Sequence, residues 1–163
     1  MTADMDVVSA RAVVLSAADF DWTWSTDDVR RFCARTGWRI DGESQYGFII
    51  STGIAGLGIC QAASEKGVLK QIDCSISAKV EPDDLDGSAE LSTAFERLTD
   101  ELTLALGSPV SRTATTGPRL RWNLPHLVIY VSLTHGVVWL LLRSLEAQRQ
   151  EEEWDEQLAM GPP

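Results

Sequence analysis

An α+β fold is predicted, with a mostly antiparallel sheet of six to seven strands, two packing helices and a polar C-terminal helix, in the order helix, strands, helix, strands, helix. Three observations predict it. Two segments carry apolar residues at the three-and-four spacing of a helix. Several others alternate apolar and polar residues with the period of a strand. The strand-like segments come in runs joined by short turns, which favours antiparallel pairing over βαβ units.

Residues 1–18 read as an N-terminal segment, a short strand or disordered, ahead of a single domain over 19–143 and an acidic helix and tail over 144–163. The first strong helix starts at Ser25, which is placed to cap it while Asp28 three residues on returns a bond to the cap. Trp24 and Val29 flank that cap as a hydrophobic staple. Val29, Phe32 and Cys33 form the apolar stripe, and Gly37 supplies the left-handed residue that ends such helices. Trp38 to Ile40, an Asp41-Gly42 turn and Tyr46 to Thr52 then make a hairpin. A glycine-spaced loop (Gly53, Gly56, Gly58) leads to Ile59–Ala63 and a Lys66-Gly67 turn. Beyond it Ile72, Cys74, Ile76, Ala78 and Val80 alternate with polar residues. A second helix carries Leu91, Ala94, Leu98, Leu102 and Ala105 on one stripe and closes at Gly107 and Pro109. Leu120, Trp122 and Leu124 alternate in a further strand. The runs Leu127–Leu133 and Val137–Leu142, around Thr134-His135-Gly136, are apolar enough on both sides to lie centrally in the sheet. Both halves read helix, glycine, strands, as a duplication would, but residue identity between them is slight.

The chain has 163 residues, 24 acidic against 14 basic, and a formal net charge of -10. Two segments hold the surplus. Glu81, Asp83, Asp84, Asp86 and Glu90 are five acids with no base, and residues 144–163 set six acids against Arg149, so each is net -5 and the remaining chain has 13 of each sign. Two acidic strips argue against nucleic acid, which needs clustered Lys and Arg. They suit either a solvated surface or a basic protein partner. No apolar run is long enough for a membrane span, and Asp4, Asp6 and Arg11 break the pattern of a secretory leader, so a cytoplasmic protein is expected.

Chemistry-bearing motifs are scarce. The glycines at 53, 56 and 58 have neither the spacing nor the strand-to-helix setting of a nucleotide loop. Asp83, Asp84 and Asp86 do not follow a calcium-loop pattern. Cys33, Cys60 and Cys74 are odd in number and widely spaced, so no disulfide framework or zinc site is implied. Cys33 and Cys74 read as small core hydrophobes, and the facing of Cys60 is open. His126 and His135 both sit at turns, away from any second ligand at helical spacing. No metal, cofactor or catalytic residue is assigned. Six of the twelve aromatic residues are Trp, most of them placed for a core. Trp154 differs: it stands in Glu151-Glu152-Glu153-Trp154-Asp155-Glu156, either docked onto the domain with Leu158 or reserved for a partner.

Phe20 to Trp24, Thr36-Gly37-Trp38-Arg39, Leu106-Gly107-Ser108-Pro109 and Leu120-Arg121-Trp122-Asn123-Leu124-Pro125 together resemble a family of small uncharacterised actinobacterial proteins, and the 11 Arg against three Lys fit a high-GC genome. The resemblance implies an immunity protein or a secretion-associated chaperone. The expected function is therefore a non-catalytic protein that neutralises a toxin with a basic surface, contacting it through Asp83, Asp84, Asp86, Glu90, Glu151, Glu152, Glu153, Trp154 and Asp155. A chaperone or adaptor, or a small enzyme whose site is assembled from distant residues, are the alternatives.

Overall fold

Alternating apolar and polar residues build one eight-stranded sheet in the computed structural model, which describes residues 5–54 and 58–161. The strands are β1 (Arg39–Ser44), β2 (Gly47–Ser51), β3 (Cys60–Glu65), β4 (Val68–Ser75), β5 (Ser111–Thr113), β6 (Arg119–Leu124), β7 (Leu127–Thr134) and β8 (Val137–Arg143). All neighbours pair antiparallel, in the order β1-β2-β3-β4-β8-β7-β6-β5. Each half is thus a four-strand meander, and the last strand of one pairs with the last strand of the other. The count exceeds the expected six to seven because three-residue β5, fully exposed, has no alternation to reveal it.

Helices α1 (Val7–Asp19), α2 (Asp27–Thr36) and α3 (Leu85–Leu106) share one core with one face of the sheet, and α4 (Leu145–Met160) lies over part of the other. The core is continuous. Val14, Val29, Leu98, Ile72, Ile129 and Leu140 are all fully buried within it. Residues 7–18 correct the expectation of a strand or disorder: Asp6 caps α1 by accepting from the Ser9 N–H, and Val7, Ala10, Val14 and Ala17 recur on its buried side. Val7, Val8, Val13 and Val14 are poor helix formers that masked this spacing. The residues before position 5, and positions 55–57 in the glycine loop with Pro162 and Pro163, lie outside the described residues.

Three local expectations are also corrected. Ser25 does not cap α2; the cap position is Thr26, without a side-chain bond. Asp28 is instead fully buried and accepts from the Thr23 and Trp24 N–H groups, the Thr23 hydroxyl and the Arg31 guanidinium. That carboxylate fixes the entry to the helix, and Trp24 stacks on Trp22. Asp41-Gly42 is not a turn but a bulge inside β1, and the chain reverses at Gln45-Tyr46. Gly47 is required there, because a Cβ would meet the Ala62 carbonyl oxygen at 2.0 Å. Finally, Cys60 and Cys74 face each other across β3 and β4 as a buried disulfide, so Cys74 is not a free small hydrophobe. Sequence spacing of 14 carried no such signal; cross-strand register did.

The β7–β8 hairpin is central as expected, β8 pairing with β4 in mid-sheet. His135 and Gly136 both take positive φ at its tip, the geometry of the tightest hairpin turns. No helix among the described residues is long and apolar enough to cross a membrane.

Candidate functional site

The polar strip at 81–90 serves α3. Asp84 caps the helix by accepting from the Gly87 N–H, and Asp86 stands in the first turn, where the helix dipole favours a negative charge. Asp83 and Glu90 are exposed on the same segment. Because α3 packs on the core face of the sheet and α4 on the opposite face, the two acidic strips are not brought together into one patch.

On the opposite face, Ser144 caps α4 by accepting from the Ala147 N–H. Gln148, the buried residue of this helix, donates to the Tyr130 hydroxyl and accepts from Arg143. Lys70 donates to Gln150, and Arg121 pairs with Glu152 at 2.9 Å. Glu152 is thereby an anchor rather than a free contact residue. Bonds from Gln148 and Arg121 hold its carboxyl below the ordinary range. Glu153 pairs with Arg149 along the helix. Beyond Glu152, every described residue of the helix is exposed. Trp154 is 59% exposed and Leu158 62%, so the alternative in which they dock onto the domain is not the one adopted. Trp154 stands among Glu151, Glu153 and Asp155 in the sequence of this exposed stretch.

Strand register assembles a second region that sequence reading missed. Gln61, Asp73, Leu141 and Tyr130 form one cross-strand row on the face that α4 only partly covers, and Ser75, Trp139, Ser132 and Arg119 form the next. A groove of about 420 Å³ runs over these rows, walled by Thr115 and Thr116 of the β5–β6 connection. A second of about 530 Å³ continues across β1 to β3 past Ile49. Asp73 lines both. Among the described residues no side chain donates a hydrogen bond to its half-buried carboxylate, and burial pushes its carboxyl up. The surrounding guanidiniums are engaged elsewhere: Arg119 lies over the Tyr130 ring at 3.8 Å, Arg121 on Glu152, and Arg143 on Gln71 and Gln148. In the sequence Asp73 is simply one polar residue on the outer side of an alternating strand, and only pairing shows what it faces.

For covalent chemistry the arrangement offers little. Cys33 is buried in α2, which pushes its thiol up. His126 lies in the β6–β7 turn, where its carbonyl accepts from the Trp24 indole, and His135 at the β7–β8 tip. Among the described residues no cluster of His, Cys, Asp and Glu is arranged to hold a metal.

A family model spans residues 8–144, more than half of the chain. The chain belongs to DUF6301, a family of unknown function. The DUF6301 span includes the sheet, Asp73 and Trp139, and ends at the residue that caps α4. No curated protein and no solved structure matches the chain.

Proposed function

We propose that this protein is a non-catalytic protein-binding protein whose C-terminal helix engages a basic surface, as an immunity protein engages a toxin. The observation that carries this reading is Trp154: a large apolar ring more than half exposed, on helical turns without an anchor on the domain, amid acids. An exposed aromatic of this kind supplies affinity when a partner desolvates it, and the flanking carboxylates speed encounter and select partners of opposite charge. The strip at 81–90 has its own structural duty as the cap of α3, which leaves Glu151, Glu153, Trp154 and Asp155 as the contact set.

The test is capture from the native cell with the wild-type chain and with Trp154→Ala as baits, at low and high salt, followed by titration of the identified partner. Expected is a basic protein held 1:1, released by salt, with affinity reduced at least about tenfold by the substitution. Undiminished affinity for Trp154→Ala rejects the helix as the contact. Growth arrest on expressing the partner alone, relieved by co-expression, supports the immunity role; a harmless partner rejects it. The cytoplasmic site of action has a counterweight in the Cys60–Cys74 disulfide, since such bonds persist mainly in oxidising compartments. Alkylating cells before lysis and counting blocked thiols reads the bond in the cell: three blocked thiols support the cytoplasmic site of action, and one supports an oxidising compartment.

A further inference from the structure

We propose that the uncovered sheet face is a recognition groove for a basic side chain of that same protein partner, seated between the Asp73 carboxylate and the Trp139 indole. This rests on the protein-binding reading but not on the C-terminal helix.

The geometry comes from register. Asp73 on β4 pairs with Leu141 on β8, and Trp139 lies two residues before Leu141, so the two are diagonal neighbours on one face. Such neighbours are within reach of long and aromatic side chains. Trp139 is 39% exposed, and no hydrogen bond from its indole N–H is made among the described residues, whereas Trp22, Trp24 and Trp122 each donate to a backbone carbonyl. Ser132 and Ser75 stand opposite it on the flanking strands. An aromatic ring beside a partly desolvated carboxylate that no cationic side chain pairs among the described residues is an arrangement suited to a guanidinium or ammonium, which gains from the ring quadrupole and from the charge together. Among the described residues no cationic side chain meets that demand. Arg143, the other diagonal neighbour of Asp73, is held by the Gln71 and Gln148 amide oxygens, and Arg119 is stacked on Tyr130.

Charge selects the occupant. A second copy of this chain brings a further net charge of -10 and is repelled, while a basic partner is attracted by the chain's overall charge and by the acids of α4 on the same side of the sheet; within the groove Asp73 is the acid and Arg119, stacked on Tyr130, the base. The face is continuous as well, since Asp73 joins the groove over β8 and β7 to the one over β1–β3, leaving room for a backbone to lie alongside the inserted side chain.

The experiment uses the full chain and N-acetyl-L-arginine amide as probe, with N-acetyl-L-norleucine amide as the uncharged control. Indole N–H resonances are followed by NMR, and Trp139→Phe assigns the relevant one. Expected is a saturable shift of the Trp139 resonance by the arginine compound alone, with affinity about tenfold weaker in Asp73→Asn. No shift, or an equal shift in Asp73→Asn, overturns the groove. For the source of the cation, the basic partner captured from the native cell is titrated against Asp73→Asn. An affinity loss of about tenfold supports insertion of its side chain. Unchanged partner affinity with probe binding abolished means that a small free cation is the occupant, and sedimentation showing a dimer that Asp73→Asn dissolves means a second copy. Either overturns the proposal while leaving the Trp154 reading standing.

Discussion

Asp28 and Asp73 are both acids inside the fold, and they do opposite things. Asp28 is fully buried and fully bonded, accepting from two backbone N–H groups, a hydroxyl and Arg31. Replacing it by Ala strands two donors at the entry to α2, and the expected cost is about 3 kcal/mol, read by denaturant unfolding; a loss below 1 kcal/mol on the order-of-magnitude scale for such bonds would reject this role. Asp73 is half-buried with no side-chain partner among the described residues, and desolvation outweighs its backbone hydrogen bond, so its charge opposes folding. Asp73→Asn should stabilise the fold at neutral pH by about a few tenths of a kcal/mol, reduced by the solvent that still reaches the carboxylate. The sign follows from its raised pKa: the penalty exists above the folded pKa and disappears as pH falls through it, so the advantage of Asn should fade in mildly acidic buffer. Melting curves of both proteins across pH check this. The sequence marks Asp28 as part of a cap and Asp73 as an outer strand residue; burial by the tertiary fold separates the two.

Elements with a strong period are legible, and those whose signal is shared with the rest of the chain are not. The β7–β8 hairpin, β6 and α3 stand where the pattern puts them, because long apolar runs and a stripe of leucines admit few other placements. α1 was hidden by valines, and β5 by its three residues. The hairpin of β3 and β4 carries the Cys60–Cys74 bond, which closes a short loop. Replacing both by Ala should cost about 2–4 kcal/mol, and reducing the wild type should lower its melting temperature while leaving the double variant unmoved. α4 is held at its start by Gln148 and by the Arg121–Glu152 pair. Because Glu152 has a lowered pKa, its contribution is present at neutral pH and is lost as pH falls through a value below the ordinary carboxylate range. Arg121→Ala should therefore increase hydrogen exchange of the α4 amides at neutral pH, and its difference from the wild type at the same pH should shrink on acidification as Glu152 is protonated in both.

At the scale of the molecule, the two-part reading of the sequence matches a sheet whose halves mirror each other about the β4–β8 pair, with Gly37 and Gly107 each ending the helix that precedes its meander. The acidic surplus was legible as two strips, but which faces they occupy depended on where α3 and α4 pack. The candidate groove was not legible at all, since its residues come from four strands and meet only through pairing. At the two open margins of the sheet, β1 is kinked at Asp41 and carries Arg39, Asp41 and Glu43, and β5 is three residues long. Neither rim offers a flat ladder on which a neighbouring chain could continue the pleat. Copies of the molecule crowded together are therefore expected not to zip into ribbons, a consequence that light scattering of concentrated solutions checks.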